Sequence, residues 1–211
     1  MIRPLAALLL AACACCADPV VEVASLTYGG GKASKCFSSA FLEVVATETG
    51  IGTNRAFVTI AAGDAAAMAR TPFALMTGEG AFTLSAGERG TLKGWMERGG
   101  FLVASAGCSS KDWSASFRRE VEAMFGADAL VAVKSDHPVF HTIFDLTQMP
   151  LKSNGRASFE GVMIDGRLAC LFSHEGLNDT GKVDGCCCCG GNEIKNARQV
   201  VANALVYALV E

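Results

Sequence analysis

Phe101-Leu102-Val103-Ala104 decides the fold of this sequence, because the stretch is apolar throughout and shows no alternation of polar and apolar residues. That composition is typical of a strand at the centre of a parallel sheet, where both faces are covered. The stretch follows the helix-ending pair Gly99-Gly100 and leads into the loop Ala106-Gly107-Cys108-Ser109-Ser110. A buried strand between two helices, with a polar loop at its carboxyl end, predicts an α/β fold.

Strands and helices alternate on both sides of this central stretch. Three other runs have the composition of strands and lie at residues 20–26, 56–60 and 72–76. Four segments have the apolar period of helices and lie at residues 38–48, 85–98, 114–124 and 194–210. Residues 161–172 predict a hairpin that turns at Asp165-Gly166. We therefore expect a three-layer α/β sandwich with a mostly parallel sheet and an antiparallel hairpin at one edge.

Length and charge limit the classes of protein that the chain can represent. The 211 residues suit one domain of ordinary size, and the net charge is −3. Nucleic-acid-binding proteins carry basic patches with interleaved aromatic residues, whereas Arg118-Arg119 is followed at once by Glu120. We therefore expect no nucleic acid among the partners of this protein.

The N-terminus has the pattern of an export signal. Arg3 supplies a positive charge before the apolar run of residues 4–12, which is too short to span a bilayer. The ten cysteines of the chain also favour an oxidising compartment over the cytosol. We expect residues 1–17 to be a signal peptide or a lipoprotein signal with its tether, and residues 18–211 to form a single exported domain.

Two processing sites fit this signal. Leu10-Ala11-Ala12-Cys13 is typical of a bacterial lipoprotein, in which Cys13 becomes the lipid-anchored first residue. Ala12-Cys13-Ala14 instead has the small residues that ordinary signal peptidase needs. The first site predicts a membrane-anchored lipoprotein, and the second predicts a periplasmic protein.

A series of short motifs carries a family resemblance over residues 20–209. The motifs, in chain order, are Tyr28-Gly29-Gly30-Gly31, Leu75-Met76-Thr77-Gly78-Glu79-Gly80, Gly99-Gly100-Phe101-Leu102, Ser116-Phe117-Arg118-Arg119-Glu120, Asp136-His137-Pro138 and Asp165-Gly166-Arg167. With these motifs the chain resembles the bacterial domain of unknown function 4159 family. The resemblance implies a fold similar to that of class I glutamine amidotransferases and trehalose-utilisation-protein-like domains, and a place in the bacterial envelope. It implies no particular reaction.

Cys108 is the candidate nucleophile, since it follows the central strand and precedes a helix whose N-terminus favours a thiolate. Enzymes of the glutaminase-type fold are similar in placing a nucleophilic cysteine at such a strand-to-helix turn. His174 and Glu175 follow the strand at residues 167–172, about where those enzymes place a base and its orienting carboxylate. Cys108, His174 and Glu175 are therefore the candidate catalytic residues. The alternative is a small buried cysteine beside a loop histidine.

Loops at the carboxyl ends of parallel strands are also where α/β proteins bind ligands. Glycines in such loops admit a ligand close to backbone amides, although tight packing explains them equally well. The candidate ligand-binding residues are Gly29, Gly30, Thr77, Gly78, Glu79, Gly80 and Ser109.

Four consecutive cysteines, Cys186-Cys187-Cys188-Cys189, are the most unusual feature of the sequence. Neighbouring cysteines pair poorly with each other, because consecutive Cα atoms lie about 3.8 Å apart, closer than ordinary disulfides allow. The run therefore predicts disulfides to cysteines elsewhere in the fold, a metal site with zinc as the metal, or a reactive thiol before a helix. Candidate partners for a disulfide are Cys36, Cys108 and Cys170.

These observations favour an exported, membrane-anchored binding or assembly module of the bacterial envelope, with envelope proteins or a small molecule as partners. A second hypothesis is a hydrolase or amide-transfer enzyme that uses Cys108 and His174. A third is a structural zinc site at residues 186–189. Fold alone does not choose among them.

Overall fold

The computed structural model describes residues 20–30, 37–177, 179 and 194–211. Its strands are β1 (Val23–Thr27), β2 (Val58–Ala61), β3 (Phe73–Gly78), β4 (Phe101–Ala106), β5 (Val131–Val133), β6 (Phe159–Ile164) and β7 (Arg167–Ser173). Its helices are α1 (Ala40–Thr49), α2 (Ala65–Met68), α3 (Ala86–Glu97), α4 (Lys111–Phe125) and α5 (Ala197–Val210). No helix in these residues is long and apolar enough to cross a membrane.

The strands form one sheet in the order β2-β1-β3-β4-β7-β6-β5. The five strands from β2 to β7 in this order pair in parallel, whereas β6 is antiparallel to both β7 and β5. Both residues of the expected turn, Asp165 and Gly166, have the positive φ angles that a tight hairpin needs. The expected α/β fold, with a mostly parallel sheet and an antiparallel hairpin, is confirmed.

The sheet separates two hydrophobic cores. Phe101 and Val103 of β4 belong to the core under α1 and α5, while Leu102, Ala104 and Ala106 belong to the core under α3 and α4. All six residues of β4 are buried. The absence of alternation in this strand therefore reflects burial on both faces, as expected for a strand at the centre of a three-layer sandwich.

Gly100 fits a space that no larger residue can enter. A Cβ atom at this position would lie 2.2 Å from Cε2 of Trp95, at the end of α3. The Trp95 ring is buried and is fixed by a hydrogen bond from Nε1 to the Thr71 carbonyl. Arg167 joins the same junction, because its Nη2 donates to the carbonyls of Met96 and Gly100. Gly100 and Arg167 thus connect α3 to the two central strands.

Asn203 holds the loop that precedes β6 against α5. Its side chain is completely buried, and Oδ1 accepts hydrogen bonds from the backbone N–H groups of Ile143 and Phe144. Its Nδ2 donates to the Phe144 carbonyl at 2.8 Å. One amide side chain therefore satisfies three backbone groups of a segment without regular secondary structure.

Candidate functional site

The carboxyl ends of β3, β4 and β7 bring the predicted catalytic residues to one edge of the sheet. Gly78 lies opposite Ala106 in the pairing of β3 with β4, and Ser105 lies opposite Ser173 in the pairing of β4 with β7. The three strands therefore end side by side. The loops that follow them contain Glu79, Cys108 and His174.

Cys108 has an unusual backbone conformation, with φ 49° and ψ 32°, in the short 3₁₀ turn Gly107–Ser109. Such left-handed angles are unfavourable for residues other than glycine and often occur at functional sites. The hydroxyl of Ser110, two residues after Cys108, accepts hydrogen bonds from the N–H groups of Gly80 and Trp113 and so caps α4. The turn is thereby fixed between β4 and α4.

The Cys108 thiol faces the β3 loop, with its Sγ atom 3.6 Å from Oε1 of Glu79. The neighbouring Ser109 hydroxyl donates to the Glu175 carbonyl at 3.2 Å. Further inside, the Leu177 N–H donates to the Ser105 hydroxyl at 2.7 Å. These bonds hold the loop after β7 against the end of β4, although the described hydrogen bonds do not join Cys108 to His174.

His174 forms an ionic cluster with Glu160 of β6 and Arg118 of α4. Its Nε2 lies 2.8 Å from Oε2 of Glu160, and Nη2 of Arg118 lies 2.5 Å from the same oxygen. Burial opposes ionisation of Glu160, but the hydrogen bonds from Arg118 and His174 outweigh it and lower the pKa of the carboxyl group. Glu160 is therefore ionised at neutral pH.

The carboxylate that contacts the imidazole is thus that of Glu160. Glu175, which the sequence suggested as the partner of His174, instead accepts a hydrogen bond from the Ser109 hydroxyl through its backbone carbonyl. Sequence reasoning missed Glu160 and assigned no role in the site to Arg118. A weak signal for Glu160 exists, because it is the one charged residue in the strand β6.

A pocket of about 580 Å³ lies beside this cluster, along the first turns of α4. Its lining includes Ser109, Lys111, Ser114, Arg118, His174 and Glu175. Cationic, hydroxyl and carboxylate groups are therefore all presented to one space, as in sites that bind small polar molecules.

The glycine-containing loops after β1 and β3 make packing contacts within the fold. The Gly29 N–H donates to Oε1 of Glu88 at 2.8 Å, and a Cβ atom at Gly29 would lie 2.4 Å from the Thr83 carbonyl oxygen. Thr77 is buried, and its carbonyl accepts a hydrogen bond from the Tyr28 hydroxyl. Ligand binding by Gly29, Gly30, Thr77, Gly78, Glu79, Gly80 and Ser109 stays a prediction.

The cysteine run at residues 186–189 and Cys36 lie outside the described residues. Cys170 is completely buried, and burial raises the pKa of its thiol well above the ordinary range. Among the described residues there is no group of three or more side chains suited to hold a metal. The disulfide and zinc hypotheses for the run stay predictions.

The described residues thus form a three-layer α/β domain with a pocket, lined in part by charged and hydroxyl side chains, at the carboxyl edge of its parallel strands. The chain belongs to the family described as domain of unknown function (DUF4159), whose model matches residues 22–209. The resemblance found in the sequence motifs is therefore confirmed for the family, while the closer similarity to glutamine amidotransferases stays a prediction. A comparison with curated proteins gives no match.

Proposed function

We propose that this protein is an exported domain of the bacterial cell envelope that binds a small polar molecule in the pocket beside His174. The observation that carries the proposal is the cluster of Arg118, Glu160 and His174 at this pocket. The side chains of Arg118 and His174 are each 37% exposed, so both can contact a ligand.

The stability of the fold gives little reason for such a cluster. Partly exposed ion pairs contribute about 0–1 kcal/mol, because solvent screens them and ordering long side chains costs entropy. Arg118 also has more N–H donors than its single bond to Glu160 uses. A ligand with carbonyl, hydroxyl or carboxylate oxygens would occupy those donors.

The location in the envelope is supported by the sequence. Residues 1–17 have the pattern of an export signal, and Cys13 follows the small residues of a lipoprotein signal. Lipidation at Cys13 would place the domain of residues 18–211 at a membrane surface, within reach of envelope proteins as further partners. A plain periplasmic protein would arise from cleavage by ordinary signal peptidase.

Arg118→Ala is expected to weaken ligand binding at the pocket at least tenfold. The test is a two-dimensional ¹H–¹⁵N NMR titration of the purified protein with a fixed panel of dipeptides, amino sugars and sugar phosphates. Binding should move the signals of residues 109–119 and 174–175. Arg55→Ala is the matched control, because Arg55 makes an exposed ion pair with Glu43 and contacts no pocket residue in its described bonds. A panel without effect, or equal binding by the Arg118 variant, would contradict the proposal.

The backbone of Cys108 favours a second candidate function, a cysteine-dependent hydrolase or amide-transfer enzyme. The left-handed conformation holds Cys108 on a sharp turn between β4 and α4, and Ser109 of this turn bonds to the loop that contains His174. In this reaction His174 accepts the thiol proton, and Sγ attacks a carbonyl carbon to form a thioester. The amine or alcohol leaves with that proton, and water, or an acceptor amine for transfer, then cleaves the thioester.

If this second function is correct, Cys108 reacts with iodoacetamide at pH 7.5 at least tenfold faster than glutathione does. The thiolate displaces iodide, and peptide mass spectrometry measures the rate at this residue. His174→Ala should slow the reaction at least tenfold, whereas His141→Ala should not, because His141 bonds to Asp145 and the Ser135 carbonyl, outside the pocket. Slow labelling that His174→Ala leaves unchanged would exclude the Cys108–His174 pair.

A further inference from the structure

Glu160 reaches His174 because of an irregularity in the β6–β7 hairpin. Ile164 pairs with Arg167 and Met163 with Leu168, but a bulge follows, and Val162 pairs with Cys170. The shift places Glu160 opposite Phe172, two residues before His174. Since side chains two residues apart share a face of a strand, Glu160 and His174 lie on the same side of the sheet, the side that α4 covers.

The hydrogen positions in the cluster follow from the charges. An ionised carboxylate only accepts hydrogen bonds, and an arginine side chain only donates them. The imidazole Nε2, 2.8 Å from Oε2 of Glu160, must therefore carry a hydrogen. Nη2 of Arg118 and Nε2 of His174 lie 3.5 Å apart because both donate to the same carboxylate oxygen of Glu160. In the neutral imidazole, Nδ1 is left as the proton acceptor.

We infer that Glu160, held in place by Arg118, is a positioning residue that fixes His174 as the Nε2–H tautomer and so makes Nδ1 the base of the site. The inference rests on the second candidate function for its chemical purpose. When Nδ1 takes the proton of the Cys108 thiol, the resulting imidazolium remains bonded to the Glu160 carboxylate. The imidazolium later returns that proton to the leaving amine or alcohol.

This role separates Glu160 from Glu175. The sequence places Glu175 next to His174, but the bond described for Glu175 is to its backbone carbonyl, which accepts from the Ser109 hydroxyl. Glu160 comes from the neighbouring strand and meets the imidazole edge directly. The orienting carboxylate therefore belongs to the hairpin, and the histidine belongs to the loop that the hairpin leads into.

The test is the tautomer of His174, measured by long-range ¹H–¹⁵N NMR of the full chain labelled with ¹⁵N-histidine at pH 8. The chain has three histidines, so His137 and His141 serve as internal controls. The wild-type protein should show hydrogen at Nε2 and a bare Nδ1. Glu160→Leu removes the acceptor and should leave a mixture of both tautomers at His174, with the other two histidines unchanged. Glu160→Met, which keeps the length of the side chain without a carbonyl or carboxylate acceptor, should give the same loss if the leucine variant does not fold.

Two results would overturn the inference: hydrogen at Nδ1 in the wild-type protein, or an unchanged Nε2–H tautomer in a folded Glu160 variant. A merely structural role for Glu160 would change stability without changing the tautomer. The iodoacetamide rate of Cys108 in the same variants is a separate readout. A changed tautomer with an unchanged rate would support the positioning role and count against the hydrolase, so the two ideas fail in different ways.

Discussion

Gly100→Ala is expected to lower the free energy of unfolding by about 3 kcal/mol, at the upper end of the usual cost of overpacking. The new Cβ atom would lie 2.2 Å from the Trp95 ring, far inside contact distance. The ring cannot move aside easily, because it is 3% exposed and its Nε1 donates to the Thr71 carbonyl at 2.8 Å. Urea unfolding followed by tryptophan fluorescence measures the change.

Gly90→Ala is the matched control for this substitution. Gly90 lies on the exposed face of α3, and its Cβ would meet nothing within 4 Å apart from the adjoining residues and backbone of its own helix. Alanine favours a helix interior by about 1 kcal/mol over glycine, so this variant should be more stable than the wild-type protein. Two variants of the same type then change stability in opposite directions. Equal effects would show that the space beside Trp95 does not restrict residue 100.

Asn203→Ala is expected to destabilise the protein by about 4 kcal/mol and to lower its melting temperature by roughly 10 °C. The substitution removes the acceptor of the Ile143 and Phe144 N–H groups and the donor to the Phe144 carbonyl. Each backbone group left without a partner costs about 1–3 kcal/mol where water cannot replace the lost bond. Thermal unfolding followed by circular dichroism gives the melting temperature.

Hydrogen exchange separates this local effect from a general loss of stability. The amides of Ile143 and Phe144 should exchange much faster in the Asn203→Ala variant under native conditions, while those of β4 should change less. Asn54→Ala is the control, because Asn54 is exposed and accepts only a long bond from the Ala56 N–H, at 3.5 Å. A melting temperature that falls equally in both variants would contradict the role of Asn203.

The central strand could be predicted because burial on both faces leaves a simple pattern. Residues 101–104 are apolar without alternation, and the structure places all of them in one core or the other. Strand β5 could not be predicted in the same way. It has three residues, Val131–Val133, and two of them are exposed, so no hydrophobic period marks it.

The shared edge of the candidate residues could be predicted from the sequence, but the contact of His174 with Glu160 could not. Strand order brings Cys108 and His174 to the same edge, and that follows from the pattern of strands and loops. The contact of Glu160 with His174 depends on the bulge between Val162 and Met163. Without the bulge, the two-residue turn would place Glu160 opposite Leu171, which belongs to the other core. A single extra residue in a ladder leaves no mark in composition or periodicity.

The position of β7 between β4 and β6 has a consequence for how the chain folds. The hairpin β6–β7 and the pairing of β3 with β4 join residues that are near in sequence, whereas Leu102 and Cys170 are more than twice as far apart along the chain as Phe73 and Phe101. Contacts that close a long segment of chain tend to form late in folding. We expect docking of the hairpin onto β4 to be a late step. The loops that contain Cys108 and His174 would then come together only in a fully folded molecule.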